Sequence, residues 1–223
     1  MNLAARLRLR PAFDVAIPGL YAWVVTVGWP LHRNAASTWA YGFGAIAFVA
    51  LAVSSWMVLL PYRLWSAVAV GAFITASAIV WFLVDPESLS LGLLGSVGYA
   101  AFAVGWVRAS GTREVDKDAL AYALDLPPRR NMSLRAMVAL YGGLVGAIVP
   151  LALAFRIEDR QRALLGHAVA LLGALHLLSI ASKLSIAVGQ KAEVSSFSWS
   201  VLGRTVLLIV LVGVGGWVTF FYR

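Results

Sequence analysis

His176, Ser179 and Lys183 stand three and then four residues apart, and Gln190 follows seven further on. At about 100° per residue these steps return to nearly one azimuth, so the four form a polar stripe on a helix that is otherwise apolar. Within a bilayer such a stripe faces protein or water rather than lipid. Two kinds of chemistry follow. Ionisable groups at depth can line a proton or solute pathway. The same residues can instead serve packing, with serine bonding back to its own helix and Lys183 reaching up to the headgroups.

A second constellation is basic. Lys183, Lys191 and Arg204 fall on the same side of the membrane, and if their helices converge they make a pocket for a lipid phosphate. The histidines offer less. His167 and His176 are nine residues apart and lie on opposite faces of one helix, so they cannot share a metal, and no metal site is expected. His32 and His167 both fall near the outer surface and could clamp the iron of a haem b from two sides. With three histidines in the whole chain and no supporting motif, that is the weakest of these readings, and no cofactor is expected.

Other chemistry is excluded by what the chain lacks. All ten acidic residues lie at or outside a membrane boundary, so proton pumping and cation exchange have no carboxylate at depth to work with. Cysteine is absent, which removes disulfides, thiolate metal sites and cysteine nucleophiles. Ser96, in Gly95-Ser96-Val97-Gly98, has no base positioned by any recognisable motif. No catalytic residue is assigned.

The elements that must hold these groups are legible from hydropathy. Hydrophobic residues make up 61% of the chain and charged ones 13%, against roughly 25% charged in a soluble domain. Seven segments read as transmembrane helices: 16–31, 36–60, 64–84, 89–107, 134–155, 163–182 and 201–221. The first is the weakest, being short and carrying Pro18, Gly28 and Pro30. Pro30 should end or bend it, and it could be only half inserted. Arg6, Arg8 and Arg10 ahead of it suggest a retained start anchor rather than a cleaved signal.

The basic residues orient the chain. With the N-terminus cytoplasmic, only Arg33, Arg156, Arg160, Arg162 and Arg223 lie outside, and the other 13 of the 18 lie in the cytoplasm, which favours an N-in, C-out arrangement. Trp39 and Trp56, and likewise Trp65 and Trp81, bracket successive spans as interfacial anchors would. Residues 108–133 form the one sizeable connector. There a helical stretch from Asp116 to Leu126 would lie on the headgroups or dock a partner. Three small-residue pairs mark tight helix contacts: Gly92 with Ser96, Gly142 with Gly146, and Gly166 with Ala170. Pro150 should free the carbonyl of Gly146, which a polar group from the sixth helix could satisfy.

The sequence therefore reads as an all-α, polytopic integral membrane protein, one transmembrane domain over 1–223, in a bacterial cytoplasmic (inner) membrane. The net charge of +8 is spread over connectors, which suits anionic headgroups on the cytoplasmic side and not nucleic acid. The leading functional expectation is a non-enzymatic subunit or anchor of a larger membrane assembly, with protein partners or further copies of itself. A small-solute or ion transporter with a path along the sixth helix is the alternative. An enzyme or binder acting on a lipid phosphate comes third.

Overall fold

The structure, a computed structural model, describes residues 12–34, 36–57, 63–111, 134–189 and 199–221. Helices fall where the apolar runs predict them. They are α1 (12–33), α2 (Thr38–Met57), α3 (Arg63–Val84), α4 (Leu89–Gly111), α5 (Leu134–Arg156), α6 (Arg160–Gly189) and α7 (Trp199–Phe221). No strand occurs among the described residues. Four of the helices, α3 to α6, are long and apolar enough to cross a membrane, as expected of a membrane protein. The described apolar stretches of α2 and α7 are shorter, Thr38–Ser54 and Gly203–Trp217. The chain divides into two compact units, Met1–Gly111 and Thr112–Arg223. The helix α4 takes in the first residues of the 108–133 connector, up to Gly111, and the rest of it, with the Asp116–Leu126 stretch, lies outside the described residues.

In the first unit α1 is the hub. It runs as α-helix over Ala12–Trp23, widens to a π-turn over Val24–Gly28 and resumes over Trp29–Arg33. Of the two expectations for Pro30, an end or a bend, the helix does not end at the proline but runs on to Arg33, and the reason is a replacement hydrogen bond. Proline has no N–H to give to the carbonyl four residues back, which is that of Thr26. The indole N–H of Trp81 donates to that carbonyl instead, at 2.8 Å. One turn earlier the Thr26 hydroxyl donates to the Ala22 carbonyl at 2.8 Å, filling in where the wider π-turn shifts the backbone ladder.

The weakness of the first apolar segment also finds its cause here. Ala22, Val25, Val27, Trp29 and Leu31 are all buried, so much of α1 faces protein and does not need the uniformly apolar surface that lipid demands. Its partners are specific. Trp23 donates to the Gly44 carbonyl of α2 at 2.9 Å, Trp29 packs on Trp81 of α3 with centroids 5.5 Å apart, and Tyr21 meets Tyr99 of α4 edge-on at 5.7 Å. Trp81 is thus a buried donor and not the interfacial anchor its spacing suggested. Trp39, Trp65 and Trp217 are exposed, as anchors should be. Between α3 and α4 the Ser77 and Ser96 hydroxyls hydrogen-bond at 2.6 Å, and Gly92 leaves room for the ring of Trp81.

In the second unit α5 and α6 are joined by a three-residue turn, 157–159. Asp159 caps α6, its Oδ1 accepting the backbone N–H groups of Gln161 at 2.9 Å and Arg162 at 3.1 Å. So short a turn sends α6 back along α5. Ala163, Gly166, Ala170, Gly173, Leu177 and Ile180 repeat at alternating steps of three and four on α6, which is the seam of two closely packed helices. All but Gly166 are buried, and Gly166 is half-buried. Pro150 has no N–H to give to the Gly146 carbonyl, and among the described residues no polar side chain is placed to replace it. A Cβ on Gly173 would run into the backbone of Gly146, so the two main chains meet there, and the glycine Cα–H is the group that can face the carbonyl.

Candidate functional site

The polar residue that the sequence singles out most strongly, His176, sits at a three-helix junction within the second unit. Its Nε2 lies 2.8 Å from Oγ1 of Thr205 on α7. His176 is buried and Thr205 is fully so. The third side of the junction is the glycine pair Gly142-Gly143 on α5, and each glycine serves a different neighbour. A side chain on Gly142 would strike the Thr205 methyl, whereas one on Gly143 would meet Leu177 at 2.8 Å and the His176 ring at 3.3 Å.

Each element delivers its part for a local reason. On α6 the imidazole follows the Ala170–Gly173 portion of the seam by about one turn, so close approach of the backbones has already brought α5 within reach of the ring. On α7 Thr205 and Leu208 form the buried stripe, three residues apart on one face. Chemically the pair is an imidazole and a hydroxyl sharing one hydrogen bond away from water. That geometry pins two helices together. Which partner donates is set by the tautomer of the ring.

Ser179 is half-buried on α6. Lys183 belongs to α6 by its backbone, but its side chain lies outside the described residues, as do Gln190 and Lys191 altogether. Arg204, next to the buried Thr205, is exposed. His32 is exposed near the end of α1 in the first unit, while His167 is half-buried on α6 in the second, its ring 6.4 Å from that of Phe155. Among the described residues no three His, Asp or Glu side chains gather where they could hold a metal ion.

Sequence reasoning missed Thr205, Gly143 and Gly173. The signal for the two glycines was present, since the small residues of α6 repeat at steps of three and four and Gly142-Gly143 are adjacent. Thr205 carried no comparable signal, because one threonine in an apolar helix usually bonds to its own backbone. No protein-family model, curated protein or solved structure matches this chain.

Proposed function

We propose that the chain is a non-enzymatic subunit or anchor of a larger assembly in a bacterial inner membrane, with seven spans, a cytoplasmic N-terminus and an external C-terminus. The observation that carries this reading is the use made of His176. His176, the first residue of the pathway alternative, makes a helix–helix hydrogen bond to Thr205, which supports a packing role. The same economy supports the reading in the first unit, where Trp81, Thr26, Ser77 and Ser96 join or brace helices. Polar groups used this way make a rigid scaffold.

A further feature supports attachment to partners. On α7 the residues Val206, Leu207, Val210, Val214 and Trp217 are exposed, and Gly203 and Gly213 meet nothing within 4 Å on the same helix. A helix with small and large apolar residues left open in this way is suited to receive another membrane helix. As for the span count, α1 extends over roughly 30 Å at 1.5 Å per residue, the thickness of a hydrocarbon core.

Purification in a mild detergent tests the proposal. A subunit should come out with stoichiometric partners or as a defined oligomer. A stable monomer that retains no partner removes the support for the reading.

A further inference from the structure

Within the second unit a groove of about 220 Å3 opens between α5, α6 and α7. Its walls include Pro150 and Leu153 from α5, Leu165 and Val169 from α6, and Leu211 and Gly215 from α7. Arg162, in the first turn of α6, is the one charged residue in this lining. Gly215 and Gly216 leave the α7 side of this space open, since a Cβ at the first meets nothing within 4 Å and one at the second meets only Leu153, at 3.9 Å. From Arg162 to Val169 the groove follows α6 for about 10 Å at 1.5 Å per residue. It therefore leads from the charged turn into the apolar part of the helices.

We propose that this groove holds one acyl chain of an anionic phospholipid whose phosphate is received by Arg162. Shape and charge both argue for that occupant. The volume is below the roughly 300–1,000 Å3 typical of sites for drug-sized molecules, so a slender chain suits it better than a ring system. Apart from Arg162, every residue of the lining is apolar or glycine. At the mouth the segment 156–162 carries three arginines against Glu158 and Asp159.

Asp159 does not consume Arg162. Its Oδ1 is engaged in capping α6, and its Oδ2 approaches Nε of Arg162 only to 3.7 Å, with both side chains about half exposed. A long, solvent-facing pair of this kind is weak and yields readily to a phosphate, which a guanidinium can grip with two parallel hydrogen bonds. The proposal concerns this groove alone and stands apart from the assembly role above. It also differs from the basic cluster of Lys183, Lys191 and Arg204 in both residues and position along the helices.

Electron spin resonance tests it on the full chain reconstituted in phosphatidylcholine vesicles, with a trace of chain-labelled phosphatidylglycerol or chain-labelled phosphatidylcholine. Wild-type protein should immobilise the anionic probe several-fold more strongly, as a charge-assisted guanidinium–phosphate contact at the mouth would produce. Arg162→Gln should bring the two probes level. Gly215→Leu should remove the immobilised anionic component, because a Cβ there meets nothing within 4 Å and the new side chain can occupy the groove. Val169→Phe fills the same space from α6 should the first filling variant fail to fold by circular dichroism. Arg156→Gln, at an arginine outside the lining, should retain the preference. Equal immobilisation of both probes by wild type overturns the proposal. So does a preference that survives the filled groove, or one lost equally with Arg156, because either result assigns the effect to general surface charge.

Discussion

At the scale of single residues, the second unit depends on atoms that are missing as much as on atoms that are present. Gly173 has no Cβ, and the Gly146 main chain occupies the space where one would be. Gly173→Ala should therefore force α5 and α6 apart and cost about 1–3 kcal/mol, the usual penalty of overpacking, measured by denaturant unfolding in mixed micelles. Gly42→Ala is the matched control, because nothing lies within 4 Å of its Cβ position, and it should leave stability unchanged or raise it by up to about 1 kcal/mol through helix propensity. The hydrogen bond of His176 is more modest. A double-mutant cycle with His176→Leu and Thr205→Val should give a coupling of about 0.6–2 kcal/mol, the range found for side-chain bonds between membrane helices. Flux through reconstituted vesicles should be the same for His176→Leu and wild type, since the ring is engaged in packing; a loss of flux would restore the pathway reading. That His176 mattered could be read from its place in an apolar helix. Its partner could not, because azimuth along one helix says nothing about which helix lies opposite.

At the scale of elements, periodicity and hydropathy located the helices to within a few residues, since lipid and protein interiors both reward continuous apolar helix. The first segment, the weakest span by hydropathy, is not among the helices long and apolar enough to cross, and hydropathy leaves out what holds it. A proline, a glycine and a short apolar run look like a weak span only when the helix is taken alone, and α1 is not alone: Trp81 on α3 supplies the hydrogen bond that Pro30 removes. Reading it from sequence would require knowing that residues 26 and 81 meet. Hydropathy likewise assigned Trp81 to the interface, because burial by neighbouring helices and burial by headgroups both suit an indole. The compensation can be tested directly. Trp81→Phe should cost about 1–3 kcal/mol through the unsatisfied Thr26 carbonyl, beyond any lost packing. In a Pro30→Ala background the backbone N–H returns to that carbonyl, so the same substitution should cost less. Additive effects of the two changes, measured by thermal unfolding in detergent, would mean that the carbonyl finds another donor.

At the scale of the whole molecule, the proposed orientation rests on charge, and the absence of cysteine makes it unusually easy to examine. Every removed or added span flips all later connectors, so the bias of basic residues constrains the number of spans and the direction of the chain together. With the N-terminus inside and seven spans, Glu87 between α3 and α4 and Glu158 between α5 and α6 face outward, whereas Lys117 in the long connector faces the cytoplasm. Single cysteines introduced by Glu87→Cys, Glu158→Cys and Lys117→Cys need no background thiols removed first. A membrane-impermeant maleimide applied to intact spheroplasts should label the first two, and it should reach the third only after lysis. The reverse pattern would mean an outward N-terminus, or a helix 12–33 that does not cross. Labelling of Glu87→Cys but not Glu158→Cys would locate the failure between them, in α4 or α5. Because α4 and α5 are both long and apolar enough to cross, the two outer sites should label together. The orientation then turns on α1 to α3, where protein contacts rather than hydropathy decide how the first helix is held.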